Sequence, residues 1–103
     1  MLEEIRVCIA GGRYLIGPHA GLRQFERGIT TDDLEYAVGN DEPEVIEDYP
    51  TDSRGHSCLI RGVTTNGDVV HVVCKPDDPV FIVTCYEPDP SIWYPDFRMR
   101  RTP

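Results

Sequence analysis

The chain lacks most of the signatures by which a small protein reveals its chemistry. Its four cysteines, Cys8, Cys58, Cys74 and Cys85, include no CxxC pair, and their spacing does not match a structural zinc site. There is no glycine-rich phosphate loop and no GxSxG nucleophile motif. The carboxylates of EVIEDYP lie on a strand and loop without a helix-spaced histidine, so neither a metal nor a cofactor is expected. No run of about 18 apolar residues is present to span a membrane. The start, MLEEIRVCIAGG, lacks the basic residues and long apolar stretch of a secretory signal. A cytoplasmic protein away from membranes is expected, with its cysteines reduced and packed as small apolar residues. Basic residues are also scarce: ten Lys and Arg stand against 18 Asp and Glu, a net charge of −8. That balance opposes nucleic-acid binding by bulk attraction and suits a basic protein partner. The basic residues nevertheless cluster, in Arg23–Arg27, Arg54–Arg61 and Arg98–Arg101, so a local basic groove is compatible with an acidic whole.

What is present fits one domain. A chain of 103 residues buries roughly 60–70% of its unfolded surface, enough for one core layer. It divides into an N-terminal extension (1–12), a core (13–86) and a C-terminal tail (87–103). Leu2, Ile5, Cys8 and Ile9 give residues 2–10 a helical spacing that stops at Gly11–Gly12. RYLI, from Arg13 to Ile16, is a short strand. Gly17–Pro18 opens a second helix, with Leu22 and Phe25 as its apolar side and Gly28 as its left-handed stop. The third helix has the clearest signature. Thr30 is its N-cap, Asp33 completes a capping box, and Ile29 with Leu34 forms a hydrophobic staple. Strands follow at 44–49, 57–64, 68–75 and 80–86. The tail, rich in proline and charge, is expected to be pinned by Ile92, Trp93 and Tyr94 and frayed beyond Phe97. Helices followed by hairpin-joined strands predict an α+β domain, its N-terminal helices on one face of a mainly antiparallel sheet of four to five strands.

The turns carry registers. A two-residue loop at Asn66–Gly67 pairs Thr65 with Asp68 and sets Gly62 against His71. A four-residue loop from Pro76 to Pro79 pairs Lys75 with Val80 and sets His71 against Thr84. One face then carries Ile60, Gly62, Val69, His71, Val73, Ile82, Thr84 and Tyr86. The other, with Leu59, Arg61, Val63, Val70, Val72, Cys74, Phe81, Val83 and Cys85, is the more apolar and is expected under the helices. Gly62 is expected to leave open space beside the His71 ring.

Two groups of side chains have the chemistry to hold and cleave a phosphodiester without metal. His19, Arg23 and Arg27 recur at i, i+4 and i+8 along one helix stripe. Arginine donates in a fixed fork to phosphate oxygens, and His19 stands in the first turn, where the helix end favours an anion. The same stripe would also serve as an ordinary solvated helix face. His71, Thr84 and Tyr86 form the second group, which would equally serve as packed strand residues. Arg54, in the Arg54–Gly55–His56 turn, and the terminal RMRR (98–101) read most simply as a flexible surface loop and a solvated end, and would also offer further phosphate contacts.

These residues resemble a known family. HAGLRQFERGITTDDLEYAV, PEVIEDYP, SCLIRG, HVVC and IVTCYEPD are similar to the bacterial and archaeal domain of unknown function 4258, over about Leu15 to Trp93. The resemblance implies a RelE-like fold, the compact fold of bacterial toxin ribonucleases. It also implies a place in a toxin–antitoxin pair, beside a small antitoxin-like partner of zinc-finger type. The positions that match are His19, Arg23, Arg27, His71, Thr84 and Tyr86. Residues 1–12 and the charge of −8 depart from the pattern.

The expected function is therefore metal-independent endoribonuclease activity by general acid–base chemistry. His19 or His71 would take the proton of the ribose 2′-hydroxyl. The other histidine, or Tyr86, would protonate the leaving oxygen, while Arg23, Arg27, Thr84 and Arg54 hold phosphate. The alternatives are a non-enzymatic protein-binding module and an inactive RNA binder of the same fold.

Overall fold

Three helices, with one short strand between the first and the second, precede the other four strands of the sheet. The computed structural model describes residues 1–40 and 42–102. Its elements are α1 (Leu2–Ala10), β1 (Tyr14–Ile16), α2 (Pro18–Arg27), α3 (Thr31–Gly39), β2 (Glu44–Tyr49), β3 (Ser57–Val63), β4 (Val69–Lys75) and β5 (Val80–Tyr86). The five strands form one sheet in the order β1-β5-β4-β3-β2. Only β1 runs parallel to its neighbour, β5; every other pairing is antiparallel. The domain is thus α+β, with a mostly antiparallel sheet and helices packed against it.

Burial of one apolar face explains the layers. Ile5, Cys8 and Ile9 of α1 join Leu34, Ala37 and Val38 of α3 over Ile60, Val70, Val72 and Ile82 of the sheet. In α3, Thr30 Oγ1 accepts the Asp33 N–H at 3.0 Å, and Asp33 Oδ2 accepts the Thr30 N–H at 2.9 Å. The capping box read from the sequence is present, and the staple residues Ile29 and Leu34 are both buried. Thr30→Ala is expected to cost about 1 kcal/mol, read as a shift of the urea midpoint.

Helix α2 packs differently from its apolar residues. Phe25 is 88% and Leu22 55% exposed, whereas Ala20 is fully buried. The residues that meet the sheet are small. Gly17 donates its N–H to the Ile82 carbonyl at 2.9 Å, and a Cβ on Gly21 would touch Ile16. Small side chains let the helix approach β5 closely, so Leu22 and Phe25 do not form the buried side expected of them.

Both hairpin registers differ from expectation. Thr64 pairs with Asp68 around a three-residue loop, with Gly67 at φ 85°. The two-residue turn would need positive φ at Asn66 as well, and Asn66 does not adopt it. The slip of one turns β3 over. Arg61, not Gly62, lies opposite His71, while Gly62 faces the helices beneath Ala37 of α3. Its missing Cβ does not open space beside His71; it admits α3, because a Cβ there would lie 2.3 Å from the Ala37 carbonyl oxygen. Gly62→Ala is expected to destabilise by about 1–3 kcal/mol through overpacking, lowering Tm by about 4–8 °C per kcal/mol. Between β4 and β5, His71 pairs with Tyr86 and Val73 with Thr84, after which a bulge makes Cys74 pair with Ile82 and Lys75 with Phe81. The upper offset from the expected register is two residues, which preserves the face. His71, Thr84 and Tyr86 therefore share a face, now with Leu59 and Arg61, and Ile82 crosses to the helix side.

That second face is covered by the C-terminal segment. Residues 87–102 fold into a strap, with Trp93 bridging to Arg100 and buried to 2%. Arg61 donates to the Asp96 carbonyl at 2.9 Å. Arg98 grips Glu44 at 2.8 and 3.1 Å, and Arg100 grips Glu47 at the same two distances. The segment is not frayed beyond Phe97, because its arginines find carboxylates on the edge strand β2. Cys58 and Cys74 stand opposite one another with Sγ atoms 3.9 Å apart, and all four cysteines are free thiols.

Candidate functional site

Helix α2 lies on β5 with its His19–Arg23–Arg27 stripe turned toward the strap. A concave lobe of about 430 Å³ opens there, lined by His19, Arg23, Arg27, Thr84, Tyr86 and Arg100 among others. Five of the seven residues singled out from the sequence meet in this lobe. A second lobe, of about 550 Å³, lies on the other side of His19 and Thr84 and reaches Arg54 and Lys75. His19 and Thr84 line both, so the two lobes form one groove with these residues at its waist.

The cations of the groove differ in what already holds them. Arg23 pairs with Glu26 at 3.2 Å and Arg100 with Glu47. Among the described residues, Arg27 and Arg54 make no ion pair. Glu87 and Asp89 also line the first lobe and set an acidic rim against the arginines.

His71 is not in the groove. It is fully buried under the strap, edge-on to Trp93 with ring centroids 4.4 Å apart. Its Nε2 lies 2.9 Å from the Phe97 carbonyl, which only accepts, so Nε2 carries the proton. Nδ1 is then the acceptor for the Tyr86 hydroxyl, at 3.4 Å. Burial lowers the His71 pKa below the ordinary 6.5 and raises that of Tyr86 above 10.0. A neutral imidazole thus sits behind a protonated phenol. The expectation that His71 meets substrate is corrected: the strap, unforeseen as an ordered layer, seals it. The RMRR run is neither a solvated end nor a disordered arm: Arg98 and Arg100 are bound to Glu44 and Glu47, and Arg100 lines the groove from within the ordered strap.

The groove contains residues not anticipated. Phe81 and Val83 line the second lobe because the bulge in β5 turns this stretch against simple alternation; nothing in the sequence marks a bulge there. Tyr49 and Lys75 could have been suspected only by knowing which strand ends meet.

A family model, Domain of unknown function (DUF4258), matches residues 16–87. The chain belongs to this family. No curated protein and no solved structure matches it. The DUF4258 match takes in α2, α3 and strands β2 to β5, and so every residue of the waist, but leaves α1 and nearly all of the strap outside. No helix among the described residues is long and apolar enough to cross a membrane.

Acid is expected to loosen the strap of this DUF4258 protein. A histidine with a depressed pKa binds its proton more tightly in the unfolded chain. Its share of stability is present above about pH 6.5 and is lost as pH falls through the folded-state value. The Arg98 hydrogen bonds hold Glu44 below the usual carboxylate range. For Glu47, burial acts upward but is outweighed by Arg100 and Tyr49. Both carboxylates therefore lose their share below about pH 4.5. Urea unfolding should show a decline in stability from pH 7 to 5 that is reduced in a His71→Gln variant; an unchanged decline would contradict the burial of neutral His71.

Proposed function

We propose that this DUF4258 protein is a metal-independent, toxin-type endoribonuclease whose site is the groove at His19. The observation that carries the reading is the meeting, along one groove, of an exposed histidine, a protonated tyrosine and four arginines, Arg23, Arg27, Arg100 and Arg54. In the proposed step His19 takes the proton of a ribose 2′-hydroxyl as that oxygen attacks the adjacent phosphorus. The P–O5′ bond breaks, Tyr86 protonates the departing 5′-oxygen, and a 2′,3′-cyclic phosphate remains. Arg23 and Arg27 stabilise the charge that builds on the phosphoryl oxygens, and Thr84 donates a hydroxyl between them. Arg54 holds phosphate at the far end of the groove. His71 accepts from Tyr86 and orients it. The relation to RelE-like toxins, a cytoplasmic setting and a cognate antitoxin-like partner of zinc-finger type belong to the same proposal.

The pH dependence separates this assignment from a two-histidine one. With Tyr86 as the acid, the cleavage rate should not fall on the alkaline side until above pH 10, where the phenol ionises. A second, falling limb near neutrality would mean that another histidine supplies the proton. One observation favours a second reading, an RNA binder without activity. The sealed His71 and the rim of Glu87 and Asp89 leave a binding groove with a single accessible histidine. In that case affinity would fall steeply with salt through Arg23 and Arg27, and no RNA would be cut.

A further inference from the structure

The two lobes of the groove differ in kind. The lobe toward α2 and the strap is walled by guanidinium groups. The lobe beyond the waist has an apolar floor of Val73, Phe81 and Val83. Tyr49 stands at its edge, 36% exposed. Its rim is polar. Ser57 donates to Asp52 Oδ2 at 3.2 Å, and Lys75 donates to the Arg54 carbonyl at 2.8 Å while its ammonium lies 5.9 Å from the Phe81 ring. A nucleobase has this same division: an apolar, polarisable face and an edge of donors and acceptors. At about 550 Å³ the lobe falls within the roughly 300–1,000 Å³ typical of small-molecule sites.

We infer that this lobe is a nucleobase pocket, and that the groove takes single-stranded RNA with one base seated on Phe81 and Val83 beside Tyr49. The phosphate next to that nucleotide then lies at the waist, between His19 and Thr84, and the chain continues into the arginine lobe. A base inside a duplex is stacked on both faces and paired along its Watson–Crick edge and does not reach the floor, so the substrate is single-stranded. Ser57 and Asp52 face the base edge and set which bases are preferred. The inference rests on the RNA reading of the groove but not on cleavage by it.

The test uses the whole chain and three probes, uridine 3′-monophosphate, adenosine 3′-monophosphate and ribose 5-phosphate, followed by amide NMR. The nucleotides are expected to move the resonances of Gly55, Ser57 and Val83 and to bind about ten times more tightly than ribose 5-phosphate, the order of effect of one base on an aromatic platform. Tyr49→Ala, at an exposed position, and Val83→Trp, which fills the lobe, should each bring that ratio close to one. Equal binding of the three probes overturns the inference, as do shifts confined to Arg23–Arg27. Its fate is separable from that of the cleavage reading. Nucleotides that bind through the lobe of a protein that cuts no RNA leave the pocket standing and remove the nuclease. RNA cut equally at every base, with Tyr49→Ala unaffected, leaves the nuclease and removes the pocket.

Discussion

Trp93→Ala is expected to destabilise the protein by about 3–5 kcal/mol, the range for truncating a large buried aromatic. Trp93 is 2% exposed, lies edge-on to His71, and carries the Arg100 guanidinium 4.6 Å from its ring centroid. Its loss would leave a cavity over the sheet and admit water to an imidazole kept neutral by burial. Two readouts should move together. The urea midpoint should fall, and the His71 pKa, followed by NMR, should rise toward the ordinary 6.5. A loss below about 1 kcal/mol would mean that the strap adds little to the fold, as a frayed tail would.

The second large effect belongs to His19. His19→Ala is expected to lower the rate of RNA cleavage by about 10²–10⁴-fold, the usual contribution of a positioned general base. Stability should change by no more than about 0.5 kcal/mol, because the side chain is exposed and outside the core. His71→Gln should show the opposite balance. It disturbs the Phe97 and Tyr86 contacts and the stability that depends on them, while any loss of rate comes through the orientation of Tyr86. The contrast distinguishes a base that meets substrate from a residue that positions another.

The element order and the cap of α3 could be read from the sequence because each rests on local signals: the 3.6-residue and two-residue periods, the Thr30–Asp33 box, and Gly28 in the left-handed region. The gathering of His19, Arg23 and Arg27 was legible for the same reason, since one helix stripe fixes it. The registers were less accessible. A turn containing Asn66–Gly67 admits loops of two or three residues, and a one-residue difference reverses a whole strand. That exchanged Gly62 for Arg61 beside His71. The grouping of His71, Thr84 and Tyr86 survived because the offset between β4 and β5 there is an even number of residues. The strap was illegible for a different reason. Its order comes from pairs more than fifty residues apart in sequence, Glu44 with Arg98 and Glu47 with Arg100, and no local pattern announces them. Because of the strap, His71 became a buried support and Tyr86 the residue at the surface of the groove. In α2, side-chain size points to Leu22 and Phe25 as the packed residues, whereas close approach to β5 selects Gly17, Ala20 and Gly21 instead.

The most direct measurement is the cleavage of a mixed-sequence RNA by the purified protein in EDTA, with the ends of the products identified. Cleavage through the groove should leave 2′,3′-cyclic phosphate and 5′-hydroxyl ends, formed without a metal ion and lost with His19→Ala. Intact RNA after incubation with a folded protein would contradict it, as would cleavage that His19→Ala leaves at the wild-type rate.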